Sequence, residues 1–194
     1  MKCAPAGDDR RSRHQHRETD RPVRERGTGC LETGGRQVKP KVYLETAIPS
    51  LLVARPGRDL IMAADQQTTL EWWDTRRGRF QLFVSELVLE EAAKGDRTLA
   101  ARRLAAIAPC GILEATDAAR RLTVQLLASG LIPGKAAADA AHIAMAAAHG
   151  MDFLLTWNCR HIANAMTVDR ARELCARQGF PAPVICTPYE LMLP

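Results

Sequence analysis

The sequence is poor in aromatic residues, at 5% of 194, so aliphatic side chains must carry whatever core it builds. Its six cysteines include no C-x-x-C pair and no His/Cys cluster at zinc-ligand spacing, which argues against a zinc site. No apolar run reaches membrane-spanning length, and the segment after Met1 runs into Asp8, Asp9, Arg10 and Arg11 without the apolar stretch of a secretory signal. These absences lead us to expect a cytoplasmic protein with free buried thiols and no membrane partner. There is no G-x-G-x-x-G and no Walker-type phosphate loop, which disfavours a nucleotide-binding Rossmann domain. Nor is there a general excess of positive charge. Residues 1–40 hold ten of the 27 Lys/Arg and six of the 22 Asp/Glu, leaving 17 against 16 in the rest of the chain. Nucleic-acid binding therefore cannot be read from net charge outside that first segment.

What is present divides at Lys41. Residues 1–40 crowd arginines with glycines and almost nothing apolar, so this segment cannot bury enough surface to offset its ordering entropy. We expect it to be a disordered basic tail, and residues 41–194 to be the domain. In the domain, short apolar runs alternate with helical stretches. Strands are expected at 42–44, 80–84, 111–115, 153–156 and 184–187. Helices are expected at 60–77, from Ser85 as N-cap to Lys94-Gly95, at 98–108, from Thr116 or Asp117 to Ser129-Gly130, at 135–149 and at 168–178. Short apolar strands separated by helices predict a three-layer α/β/α sandwich around a five-stranded, mostly parallel sheet.

In such a sheet the functional crevice lies beyond the carboxyl ends of the strands, where strand order reverses. The polar residues expected there are Glu45 after the first strand, Glu90 or Glu91 on the helix after the second, Asp139 near the start of the alanine-rich helix, and Asn158 after the fourth strand. A carboxylate directly after a central strand is hard to leave unpaired, which singles out Glu45. Asn158 suits equally a turn or a helix cap before Cys159. His142 and Lys135 flank Asp139 at helical spacing, and either lines the crevice or, for His142, is buried with a satisfied hydrogen bond. Asp152, at the other end of its strand, reads as structural.

Four segments in order, Val42-Tyr43-Leu44-Glu45-Thr46, Val84-Ser85 through Glu90-Glu91, Ala138-Asp139 through Ala144, and Phe153-Leu154-Leu155-Thr156-Trp157-Asn158, resemble the four motifs of the PIN-domain family. The resemblance spans about residues 41–190. It implies an endoribonuclease dependent on Mg²⁺ or Mn²⁺, in bacteria commonly the toxin of a VapBC-like toxin–antitoxin pair. It implies Glu45, Glu91, Asp139 and Asn158 as catalytic positions, with Glu45, Glu91 and Asp139 on the metal. The distance from Ser85 favours Glu91 over Glu90. Lys135, His142, Thr46 and Ser85 become candidates for lining the substrate. The implied partners are an RNA substrate, an antitoxin protein and, as in many family members, a second copy of the chain. Two positions depart from the family pattern. Glu45 stands where aspartate is common, and Asn158 offers a neutral carbonyl in place of a carboxylate. Two alternatives follow: a PIN-like RNA- or partner-binding module with weakened catalysis, and a metal-dependent DNA nuclease.

Overall fold

A computed structural model describes residues 38–57 and 59–192. Most of the expected basic tail, residues 1–37, lies outside the described residues. Val38, Lys39 and Pro40 lead exposed into the first strand, where the Pro40 carbonyl accepts a hydrogen bond from Gln81 N at 2.9 Å.

The elements run β1 (Lys41–Leu44), α1 (Ala47–Val53), α2 (Leu60–Thr75), β2 (Gln81–Ser85), α3 (Glu86–Ala92), α4 (Arg97–Ile107), β3 (Gly111–Leu113), α5 (Asp117–Ala128), α6 (Ala137–Ala148), β4 (Phe153–Leu155), α7 (Ala165–Arg177) and β5 (Val184–Cys186). The five strands form one sheet in the order β3-β2-β1-β4-β5, and every pairing is parallel. The chain steps outward from β1 to β3, then crosses back to β4 on the other side of β1. With right-handed crossovers this places α1–α4 on one face and α5–α7 on the other. The helix contacts agree: α1 packs on α2 and α4, and α3 on α4, whereas α5 packs along α6 and touches α7.

β1 is central, and Val42, Tyr43 and Leu44 are wholly buried, which is why this strand shows no alternation of apolar and polar residues. The edge strands β3 and β5 have three residues each and leave Ile112 and Val184 half-exposed. Short edges of this kind limit unwanted strand pairing. At β3, Gly111 sits in register with Phe83, and a β-carbon there would approach the Phe83 ring to 2.7 Å. The few aromatics are used economically. Trp72 is fully buried and stacks on Phe80 at 5.9 Å between ring centroids, and Phe80 meets Phe153 edge-on at 6.2 Å.

Helix starts follow the expected caps. Ser85, Asp96 and Thr116 accept from the backbone N–H of Val88, Leu99 and Ala119. Gly95 takes the left-handed conformation just beyond α3, at φ 86°. Several features differ from the sequence expectation: α7 begins at Ala165 rather than 168, β3 ends at Leu113 rather than 115, and α1 and the start of α6 depart further. α1 follows β1 after two residues with no side-chain cap, and its Pro49 occupies the first turn, where a missing N–H is tolerated. The alanine-rich helix starts at Ala137 rather than Lys135. Residues Gly134–Ala136 form a separate 3-10 turn closed by Ala136 N on the Pro133 carbonyl, so Lys135 is not in phase with α6.

The thiols of Cys110, Cys159, Cys175 and Cys186 are all free. Cys175 and Cys186 are buried, but Cys159 is exposed, unlike the buried thiols expected. Burial pushes the Cys110 thiol up to about 11 and the Cys186 thiol up to about 12.

Candidate metal centre

The reversal of strand order falls between β1 and β4, and the polar residues gather beyond the carboxyl ends of these two strands. Glu45 extends the β1–β4 pairing by one bond, from its N to the Leu155 carbonyl at 3.0 Å. Its side chain is 7% exposed. One carboxylate oxygen, Oε2, accepts from Thr156 Oγ1 at 2.8 Å and from Ala47 N at 3.1 Å.

β2 ends at Ser85, whose hydroxyl caps α3 and meets the Tyr43 hydroxyl at 2.7 Å. α3 then carries Glu91 to the crevice and leaves Glu90 exposed. Glu91 Oε2 accepts from Thr46 Oγ1 and lies 3.2 Å from His142 Nε2. The other ring nitrogen of His142, Nδ1, lies 2.8 Å from the Tyr43 hydroxyl. His142 is 1% exposed. A continuous chain of contacts therefore runs Ser85–Tyr43–His142–Glu91–Thr46.

One donor atom from each of Glu45, Glu91 and His142 lies within 4.8 Å of the others. Of the three carboxylates expected on the metal, the fold groups Glu45 with Glu91, and the third member of that group is His142. Asp139 is half-buried in the first turn of α6, three residues before His142, and is not in this group. Lys135 is exposed on the preceding 3-10 turn. Asn158 lines the same cleft as Glu45 and Glu91, but its Oδ1 accepts from His161 N at 3.1 Å while its carbonyl accepts from Ile162 N and Ala163 N. Asn158 thus shapes the turn after β4. Thr46 and Ser85 touch the cluster through Glu91 and Tyr43.

The cleft has a volume of about 610 Å³. Its walls add Met62 and Asp65 from α2, Lys94 after α3, and Trp157. The Trp157 indole N–H donates to Thr69 Oγ1 at 2.8 Å, tying the turn after β4 to α2. The sequence placed neither Asp65 nor Lys94, read only as the end of a helix, in the cleft. Nothing in a sixteen-residue helix with a weak apolar face marks which acid turns toward β1.

Electrostatics separate the two glutamates. Burial raises the proton affinity of Glu45 above the usual carboxylate range, and the charge of Glu91 adds to this; His142, Thr156 and the Ala47 N–H offset it in part. Glu91 is shifted the other way. The hydrogen bond from His142 holds it below the usual range against the opposing effect of burial, with Thr46 assisting. Burial also raises Tyr43, keeping the phenol neutral. Among the described residues neither glutamate forms a salt bridge with Lys or Arg, although the charge of Lys94 also favours the ionised form of Glu91. Two carboxylates and an imidazole in a half-open cleft form a donor set that can hold a divalent cation, which would keep both carboxylates ionised.

No family model matches this chain, and no curated protein matches it in sequence. Among solved structures, the chain is similar to that of VapBC2 from Rickettsia felis bound to a DNA fragment from their promoter. The TM-score is 0.45 and the identity 16%, over 76% of this chain and 98% of that one.

Proposed function

We propose that this protein is a PIN-like, divalent-metal-dependent endoribonuclease acting as the toxin of a toxin–antitoxin pair. The observation that carries the reading is the convergence of Glu45, Glu91 and His142 at the β1–β4 switch point, from sequence positions almost a hundred residues apart. The order of the four PIN-like segments supports the same assignment.

Glu45 and Glu91 would hold the cation, with Asp139 and Asn158 at the margin of the site through water. When bound, a divalent cation supplies Lewis acidity, offsetting charge on the phosphoryl oxygens and activating water. The chain's own residues do the rest. Thr46 and His142 fix the Glu91 carboxylate, and Thr156 with the Ala47 N–H fixes that of Glu45. Both are thereby oriented before substrate arrives, which lowers the reorganisation needed in the reaction. Lys94, at the cleft wall, is placed to meet a phosphate. An antitoxin is the partner such a toxin requires, and the cleft is the surface it would cover.

The test is cleavage of a labelled single-stranded RNA with Mn²⁺ or Mg²⁺. Wild type should cut, and EDTA should stop it. Asp139→Asn should weaken it, and the same strand as DNA should resist. Equal cleavage in EDTA would end the nuclease reading, and preference for DNA would favour the DNA nuclease. A second reading, a binding module with weakened catalysis, is favoured by one observation: the Asn158 side-chain oxygen, Oδ1, is already engaged by His161 N. RNA binding without metal-dependent cutting would support it.

A further inference from the structure

We infer that His142 Nε2 is itself a ligand, so that the centre is a mixed nitrogen–oxygen site taking Mn²⁺, Co²⁺ or Zn²⁺ ahead of Mg²⁺. This rests on the metal-dependent reading above and changes the chemistry of its site. Hydrogen-bonding Glu91 does not account for all that surrounds the ring. His142 is almost wholly buried, its Nε2 lies 3.2 Å from a Glu91 carboxylate oxygen, and one of its ring nitrogens lies within 4.8 Å of a donor oxygen on each glutamate. Glu45 is 7% exposed, forms no salt bridge with Lys or Arg among the described residues, and lines the cleft, and the hydrogen bonds its carboxylate accepts there both fall on Oε2. Donors bound at about 2.1 Å from one ion are at most about 4.2 Å apart, so closing the cluster takes a shift of about half an ångström.

The far side of the ring is built for the same role. A metal-bound imidazole characteristically donates its other N–H to a fixed acceptor, which sets ring orientation and basicity. Here Nδ1 meets the Tyr43 hydroxyl, and Tyr43 is held in turn by Ser85. A hydroxyl both donates and accepts. Tyr43 can therefore hold the neutral ring with the proton on Nε2, donating to Glu91, or with the proton on Nδ1, leaving the Nε2 lone pair free for a cation. Tyr43 is thus a positioning residue, acting through His142. Imidazole favours the later first-row ions, and pure carboxylate sets favour Mg²⁺.

The test uses the full chain loaded with Mn²⁺ and pulsed electron paramagnetic resonance. Wild type should show hyperfine coupling to ¹⁴N that becomes a ¹⁵N pattern when histidine is ¹⁵N-labelled. The coupling should persist in His161→Ala, the other histidine near the cleft, and vanish in His142→Gln. Calorimetry should show His142→Gln losing Zn²⁺ affinity at least about tenfold more than Mg²⁺ affinity. Tyr43→Phe keeps the aromatic packing but removes the hydroxyl that orients His142, and should retain the coupling while weakening metal binding about 10–100-fold; it serves if His142→Gln does not fold. Bound Mn²⁺ without nitrogen coupling would overturn this inference and leave the metal-dependent reading intact. No Mn²⁺ binding at millimolar concentration would overturn both.

Discussion

The two ends of the β1–β4 strand pair each carry a carboxylate, and they use it in opposite ways. At the amino end, the exposed Asp152 accepts from the Lys41 backbone N–H at 2.7 Å and pins the start of β4 to the start of β1. At the carboxyl end, Glu45 is buried beside a second glutamate, and its surroundings favour the protonated form. The first arrangement is complete within the chain. The second stores unfavourable electrostatics that a cation would relieve. The same residue class on the same strand pair therefore reads as structural at one end and as a site at the other, and what separates them is burial beside a second carboxylate.

Breaking the carboxyl end should have the largest effect. Glu45→Gln or Glu91→Gln should lower metal-dependent RNA cleavage at least about 100-fold, measured as single-turnover rate with saturating Mn²⁺. Next is the response to the ion itself. In wild type, free Mn²⁺ at about 100 times its Kd should stabilise the fold by about 2.7 kcal/mol in thermal melts, and chelation should remove the gain. Glu45→Gln should show no gain, whereas Asp152→Ala should keep it in full. A shift retained by Glu45→Gln would mean that the ion binds elsewhere.

The amino end should show only stability. Asp152→Ala should cost about 1 kcal/mol in urea unfolding and leave cleavage unchanged. The smallest effect sharpens the contrast through pH. Glu45 has a raised folded-state proton affinity, so its stabilising contribution holds below the ordinary carboxylate range and is lost as pH rises through its raised value. Metal-free Glu45→Gln should therefore melt above wild type at pH 8, with the difference closing towards pH 4. Glu91, shifted down, works in reverse: its contribution is present at neutral pH and fades as pH falls through its lowered value. A Glu45→Gln melt below wild type at pH 8 would contradict the electrostatic account.

Strand identity and a mostly parallel sheet were legible because the apolar runs are short, unalternated and punctuated by Ser85, Asp96, Thr116 and Gly95, whose caps follow from local chemistry; the strand order, and with it the position of the switch point, was not. Nor was α1, because Ala47–Val53 is only seven residues long and carries a proline that discourages a helical reading, and its N-cap residue, Thr46, makes no side-chain cap bond. The site was partly legible for a related reason. The spacing from Ser85 distinguished Glu91 from Glu90, since α3 is continuous from its cap. On α6 the one-turn interval between Asp139 and His142 placed both on one face, yet their relative reach depends on the tilt of the helix against β1. That placement depends on how α6 packs against α5 and β4, which no local pattern encodes. Lys135 was lost to the same face because Ala136 leaves helical geometry, at φ −109° and ψ 36°.

Val42 and Tyr43 lie in the middle strand, wholly buried and paired on both sides. Their amide protons can reach deuterated solvent only when the whole molecule opens, so their exchange rates report global stability. The amides around Glu91 and Asn158, at the cleft, exchange through smaller openings. One labelling time course, with and without ion, would thus carry its own internal standard for separating local tightening from a change in the whole fold.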